Sequence, residues 1–293
     1  MTGSKAEIIA AVDEALGSLL PKEDMYPPEI HRAMRYSVFA GGKRLRPLLV
    51  ISAADIFAVP LKHALPVACA IEMVHTYSLI HDDLPSMDND DYRRGRPANH
   101  KVFGEAIALL AGDALLTAAF ATLAGAASSC FPAETVIELQ RELAQAAGTS
   151  GMIGGQVVDI LSEGKAVDGQ TLDYIHFHKT AALITCCVRS GAIMGQASPE
   201  QLQTLTGFGR KIGLAFQIVD DILDVTGDEK LLGKKTGADA GKQKATYPAL
   251  YGLEAARKKA AILLKEALEC LKPFGPAAEN LKELARYAVI RNS

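Results

Sequence analysis

Five aspartates crowd into ten residues: Asp82, Asp83, Asp88, Asp90 and Asp91. They follow an apolar stretch whose helical spacing runs through Val67, Ile71, Val74, Ser78 and His81. The cluster therefore begins at a helix's C-terminal end, where the helix dipole is negative and bare anions are least favoured. A chain that orders this segment must supply a counter-ion. Pro85 disfavours further helix and lets the chain carry Asp88 back toward Asp82.

A second cluster, Asp220-Asp221-Ile222-Leu223-Asp224, follows Phe216-Gln217-Ile218-Val219. Asp220 and Asp224 are four apart and share a helix face, with Asp221 about 100° round the axis. Both clusters offer only oxygen ligands, which selects magnesium or manganese over zinc or copper. Magnesium typically keeps waters and shares substrate phosphates. An EF-hand fails, because the sixth residue from Asp88 is Arg93 rather than Gly and the twelfth is Asn99 rather than Glu.

The rest of the chain reads as helix. Of 293 residues, 49% are hydrophobic and only 6% aromatic, with no Trp and with Ala and Leu abundant. That balance favours helices over sheets. Residues 134–147 set Val136, Ile137, Leu139, Leu143 and Ala147 on one broad face. Strand-like alternation of useful length is missing. Breaks are expected at Tyr26-Pro27-Pro28, Gly41-Gly42, 88–97, 164–169, 197–200 and Phe274-Gly275-Pro276. The polar segment 227–245, with five lysines among glycines, reads as a binding flap. No composition shift marks a domain boundary, so a single all-α domain over 1–293 is expected.

A net charge of −3 gives no general attraction to nucleic acid. Five cysteines without a C-x-x-C argue against a disulfide framework or a zinc site and fit a reducing compartment. Lys5, Glu7, Asp13 and Glu14 interrupt any signal-peptide run. Residues 106–127 are long enough to span a membrane, but the stretch is Ala-rich and contains Asp113. It reads as a buried helix of a soluble protein.

Cations accompany the acidic clusters. Gly41-Gly42-Lys43-Arg44-Leu45-Arg46-Pro47 places three of them directly after two glycines. Arg93-Arg94-Gly95 follows the first cluster, and Lys179-Thr180 adds another. Arg offers phosphate a planar fork and Lys a point charge. Nucleotide fingerprints fail: Gly207 to Gly213 is one residue too long for a dinucleotide loop, and 227–234 has five residues between its glycines. A diphosphate ester with an apolar tail suits an Ala/Leu-rich helical protein better.

The chain resembles the trans-isoprenyl diphosphate synthases, most closely the bacterial-type farnesyl diphosphate synthases. The resemblance rests on G-G-K-R-L-R-P, H-D-D-L-P-S-M-D-N-D-D-Y-R-R-G, G-G-Q-V-V-D, H-K-T, F-Q-I-V-D-D-I-L-D and T-Y-P-A-L, in the family's order. It implies a single-domain, all-α bundle around a central active-site cavity, with Mg2+ at three ions per site and Mn2+ as a substitute. It implies that Asp82 and Asp88 bind the metal, that Asp83 supports them, and that Asp220 and Asp224 hold an ion opposite. Asp221 and Lys179 join the catalytic set. Lys43, Arg46, His75 and Arg94 match positions that bind isopentenyl diphosphate. Arg93, Lys179, Thr180, Gln217 and Lys234 match positions around the allylic diphosphate, and the Lys234 flap and Arg291 are given a closing role. His75 lies seven residues, two helical turns, before Asp82 and so on the same side.

Tyr77 lies five residues before Asp82, about 1.4 turns deeper, where bulk would stop the growing chain. In this family type an aromatic there goes with a fifteen-carbon product. A geranylgeranyl diphosphate synthase is the alternative within the fold, and a class I terpene cyclase fits less well because its second metal site mixes Asn, Ser and Glu. A non-catalytic regulatory subunit would lack an aspartate motif or phosphate-binding cations, and none is missing. A plain divalent-cation buffer would bind calcium without diphosphate. The resemblance implies a homodimer, and because the diphosphate substrates are soluble a cytoplasmic enzyme is expected.

Overall fold

Helix formation starts where the sequence provides a cap. The Ser4 hydroxyl accepts from the Glu7 amide while the Glu7 carboxylate accepts from the Ser4 amide, a capping box that opens α1 (Lys5–Leu19). The computed structural model describes residues 4–226 and 245–290. Their contacts form two units: one comprises Leu49–Pro60 and the chain from Arg141 onward, the other the chain up to Leu48 together with Leu61–Gln140.

In the second of these units, α2 is Pro28–Val38, α3 begins at Leu45 and runs to Asp55 in the other unit, and α4 is Leu61–Asp82. A two-stranded hairpin follows, β1 (Tyr92–Arg93) and β2 (Arg96–Pro97), then α5 (Asn99–Phe103) and α6 (Glu105–Thr122), which ends in a π-turn over Leu123–Ala127. Helix α4 is the core element. It is buried on nearly every side, including Val67, Ala68, Ile71, Met73, Val74 and Ile80, so it shows little amphipathic pattern. Ile8, Val12 and Leu16 of α1 and Ala108, Ala111, Leu115 and Ala119 of α6 complete this core.

α7 (Ala133–Ala147) leads into the first unit, which continues with α8 (Met152–Ser162), α9 (Gly169–Ile175), a π-turn over His176–Ala181, α10 (Ala182–Met194) and the long α11 (Pro199–Thr226). After the segment 227–244 come α12 (Tyr247–Tyr251), α13 (Leu253–Cys270), a short 3-10 turn at Lys272–Ala278 and α14 (Glu279–Val289). Leu172, Ile218, Val219, Ile222, Tyr247 and Leu263 share one apolar cluster that binds α9, α11, α12 and α13.

The all-α class is borne out, and the expected breaks fall between α-helices or at their first residues, the one at Phe274-Gly275-Pro276 lying within the 3-10 turn at Lys272–Ala278, where Gly275 is non-helical. Two expectations need correction. Residues 106–127 are not a buried helix: α6 buries one face, while Leu109 and Leu110 are 46% and 52% exposed. Its neighbours within the unit cover one side, and Ala106, Leu109, Leu110, Asp113, Thr117 and Ala121 are left at the surface. This helix is long and apolar enough to cross a membrane by length and composition, yet it also carries the exposed Asp113. Ile137 was expected on the buried face of α7 and is 64% exposed, whereas Val136, Leu139, Leu143 and Ala147 are buried. The five cysteines are unbridged.

Candidate active site

The first acidic cluster forms as its residues require. Asp82 is the last residue of α4. Pro85 ends the helix, and the chain folds back so that the Asp88 amide donates to the Asp82 carbonyl at 2.8 Å. This brings the backbones of the two aspartates together, and both side chains are half-buried. Asp83 points the other way. It is 2% exposed, and its carboxylate accepts two hydrogen bonds from the Arg93 guanidinium, the Nε one at 2.9 Å. Burial raises the Asp83 carboxyl, and Arg93 opposes that rise. Arg93 also lies 3.6 Å from Asp90.

The hairpin aims the next cation. Tyr92 pairs with Pro97 and Arg93 with Arg96, leaving Arg94-Gly95 as a two-residue turn with positive φ at both positions. Arg94 holds φ 54°, a conformation an arginine adopts only under constraint. Its guanidinium donates to the Gly41 carbonyl. A Cβ on Gly42 would lie 2.7 Å from Arg94 Cζ, so the G-G and R-R-G motifs meet because Gly42 has no side chain.

His75 is half-buried on α4. Burial first, then the charges of Arg46, Arg94, Arg93 and Arg44, hold its pKa well below the usual imidazole range. It is a neutral group facing arginines, able to accept or donate one hydrogen bond without adding charge. Lys43 is exposed and Arg46 half-buried. The isopentenyl-diphosphate candidates Lys43, Arg46, His75 and Arg94 thus all belong to one unit, with His75 within the field of two of the others. Arg44, read with Lys43 and Arg46 as a phosphate binder, is corrected. It is 4% exposed, donates to Glu72 at 2.9 Å, to Asp13 at 2.8 Å and to the Val38 carbonyl at 2.7 Å, and so holds α1, α2 and α4 together. Tyr77 is 5% exposed, with its ring edge-on to His81 at 5.6 Å. Burial, then the Asp82 charge, pushes its phenol up to about 12.

The second cluster is built around the π-turn that carries Lys179 and Thr180. Such turns recur at functional sites because they displace side chains from the regular helical register. Two glycines clamp it. A Cβ on Gly155 of α8 would lie 2.2 Å from the Lys179 amide nitrogen, and one on Gly213 of α11 would lie 2.5 Å from Ala181 Cβ. Lys179 reaches Asp159 of α8 at 2.7 Å, so the second G and the D of the motif Gly154-Gly155-Gln156-Val157-Val158-Asp159 act on the same turn. The Thr180 hydroxyl donates to Gln217 Oε1 at 2.7 Å, and Gln217 Nε2 donates to Asp221 Oδ1 at 3.1 Å. Asp221 is 2% exposed, and its other oxygen accepts from the Tyr247 amide at 2.9 Å and lies 3.3 Å from His176 Nε2. Asp220 is half-buried and Asp224 is 4% exposed. Asp159, His176, Lys179, Thr180, Gln217 and Asp221 line one open pocket.

Lys234 and Arg291 lie outside the described residues, as does most of the expected flap. Asp159, Asp173, His176 and Tyr247 were not singled out from sequence. Asp159 and Tyr247 stood inside recognised motifs without a role, and His176, three residues before Lys179, shares its side of the turn. Among the described residues no three acidic, His or Cys side chains converge into a closed cage. The donor set suits magnesium nonetheless, since magnesium takes one or two carboxylates and completes its shell with waters and phosphate oxygens.

Comparison with known proteins agrees with this geometry. Residues 27–286 match the model of the polyprenyl synthetase family. The large subunit 1 of a chloroplastic heterodimeric geranylgeranyl pyrophosphate synthase from Arabidopsis thaliana is 50% identical, over 99% of this chain and 78% of that one. The farnesyl diphosphate synthase of Bacillus subtilis is 45% identical, over 100% and 98%. A geranyltransferase from Helicobacter pylori, solved with magnesium and isoprenyl diphosphate, superimposes with a TM-score of 0.84 at 34% identity, over 99% of this chain and 98% of that one. With its aspartate motifs at helix ends and its cations beside them, the chain belongs to the polyprenyl synthetase family and is a prenyltransferase of isoprenoid biosynthesis.

Proposed function

We propose that the chain is a farnesyl diphosphate synthase, condensing isopentenyl diphosphate head-to-tail with dimethylallyl and then geranyl diphosphate. The observation that carries the product length is Tyr77, a large side chain 5% exposed and five residues before Asp82 on α4. In this reading its ring closes the floor of the apolar cavity at fifteen carbons. A geranylgeranyl synthase is the second reading, favoured by the 50% identity to a relative of that name.

Asp82 and Asp88, and Asp220 with Asp224, would hold Mg2+ at three ions per site. When bound, the metal neutralises charge on the departing diphosphate. Lys179, Thr180, Gln217 and Arg93 bind and orient the allylic diphosphate, Asp83 positions Arg93, and Asp221 positions Gln217. As the allylic C–O bond ionises, these donors take up the charge that grows on the leaving group. Lys43, Arg46, Arg94 and the neutral His75 hold isopentenyl diphosphate with its double bond toward the allylic carbon. The double bond attacks, a C–C bond forms, and the proton lost in making the new alkene goes to the released diphosphate. No side chain need act as base. The exposed apolar face of α6 supports a homodimer, and soluble diphosphate substrates fit a cytoplasmic enzyme that works as one functional domain over 1–293.

The test is a product assay with isopentenyl diphosphate plus dimethylallyl or geranyl diphosphate, with and without magnesium, and with products sized by chromatography. A magnesium-dependent fifteen-carbon product is expected, and Tyr77→Ala should lengthen it. An unchanged product in Tyr77→Ala would remove Tyr77 as the floor. A twenty-carbon product from the unaltered chain would favour the second reading.

A further inference from the structure

Helix α11 and the π-turn before α10 run side by side, and three contacts join them at one-turn intervals along α11. At the first, Gly213 lets the helix approach the backbone of Ala181. Four residues on, Gln217 accepts from Thr180 at 2.7 Å. Four further on, Asp221 meets His176 at 3.3 Å. The His176 contact lies five residues before α11 ends at Thr226, directly beside Asp220 and one turn before Asp224.

The chemistry of that contact is specific. His176 is 4% exposed and stacks on the Tyr247 ring, with centroids 5.3 Å apart and planes at 26°. Nε2 is the ring nitrogen that faces the Asp221 carboxylate, at 3.3 Å, and is the one placed to carry the proton, leaving Nδ1 as an acceptor that finds no partner among the described residues. Burial lowers its pKa to about 4, so the ring is neutral and contributes a directed N–H rather than a charge. Tyr247 is itself held, its hydroxyl donating to Asp173 of α9. Asp221 therefore accepts hydrogen bonds from Gln217 of its own helix and from the Tyr247 amide of α12, and His176 of the turn lies against it at 3.3 Å. Of these three, His176 alone ties Asp221 directly to the element that bears Lys179.

We propose that His176 is a positioning residue of the synthase, whose Nε2–H fixes the acidic end of α11 against the turn carrying Lys179 and Thr180 and thereby sets the geometry of the allylic-diphosphate half of the site. This rests on the assignment of Lys179 and Thr180 to the allylic diphosphate given above. A residue with this role acts on one substrate. The isopentenyl-diphosphate candidates Lys43, Arg46, His75 and Arg94 lie on other elements and should not respond.

The experiment compares full-length wild type, His176→Phe and His176→Gln. Phe keeps the ring stack on Tyr247 and loses the donor; Gln keeps a donor near the reach of Nε2 and loses the stack. Binding of the unreactive analogue geranyl thiolodiphosphate in the presence of magnesium is measured by calorimetry, alongside KM for each substrate and the urea midpoint. His176→Phe should bind the analogue about 10–100-fold more weakly, the range for lost second-layer partners. Its KM for geranyl diphosphate should rise in parallel, with KM for isopentenyl diphosphate within about twofold, and His176→Gln should recover most of the affinity. Unchanged affinity in His176→Phe overturns the proposal. So does a loss shared equally by both substrates, or one that follows the urea midpoint and is not recovered by Gln. An active wild type with an indifferent His176→Phe removes only the role of His176, whereas a wild type that neither binds the analogue nor forms product overturns the allylic-site assignment as well.

Discussion

Replacing Gly155 by alanine sets two effects of opposite sign against each other. In a helix interior the change should stabilise by about 1 kcal/mol, because Ala loses less backbone entropy than Gly. At this position the new Cβ would lie 2.2 Å from the Lys179 amide nitrogen, 2.7 Å from its Cα and 2.8 Å from the His178 carbonyl carbon. All three are backbone atoms of the π-turn, so no side chain can swing aside. Ordinary contact begins at 3.4 Å, and α8 and the turn must therefore part by more than an ångström. The Asp159–Lys179 bond, 2.7 Å long and one helical turn further along α8, opens with them. Overpacking of this kind costs about 1–3 kcal/mol, and the half-buried ion pair adds about 1. Against the propensity gain the net is a loss of about 2 kcal/mol, a factor of roughly 30 in the unfolding equilibrium. Gly207→Ala on α11 is the control, because its Cβ would meet only Cys270 Sγ at 3.8 Å and the propensity gain should survive. Urea denaturation of both variants at constant m-value reads the two signs directly, and KM for geranyl diphosphate should rise only in Gly155→Ala. If Gly155→Ala is as stable as Gly207→Ala with an unchanged KM, the clamped-turn argument is refuted.

Arg44→Met should destabilise by about 3–5 kcal/mol, since it strands the Glu72 carboxylate in the core, and pairing it with Glu72→Met should recover much of that; denaturation midpoints of the single and double variants decide it. Gly42→Ala should displace the Arg94 guanidinium at little cost in stability beyond the strain of φ 126°, raising KM for isopentenyl diphosphate and leaving KM for geranyl diphosphate unchanged, which steady-state kinetics can check. His75 is held neutral in the folded chain, so as pH falls through about 6.5 the unfolded chain takes up a proton that the folded chain refuses. Stability contributed by the neutral imidazole is complete above that pH and should fall by up to about 1.4 kcal/mol per unit below it. Urea midpoints at pH 7.5 and 5.5 (about one unit either side of the reference value) should show a shallower slope for His75→Asn, and equal slopes would count against this reading.

How far the sequence could be read is clearest in its two Asp-Asp pairs. The end of α4 at Asp82 and the return of Asp88 were legible, because charge density, an apolar run and a proline act locally and leave few solutions. A two-residue hairpin at 92–97 was not, since strands that short have no periodicity to detect. Within each pair the letters are identical, yet the second aspartate is 2% exposed and the first is half-buried. Helical geometry says that neighbours diverge by about 100°, but apolar residues stand within two positions of both pairs on both sides, so periodicity does not decide which carboxylate turns inward. Partners distant in sequence decide it. Arg93, arriving on a hairpin, meets Asp83; His176 and Tyr247, from a π-turn and a helix start, meet Asp221. A carboxylate can be buried only where such donors wait, because an unpaired buried charge costs several kcal/mol. The same two residue letters therefore carry two different duties, one turned toward the protein and one left at its edge. The assignment was written into the chain at positions 93, 176 and 247 rather than at the aspartates themselves.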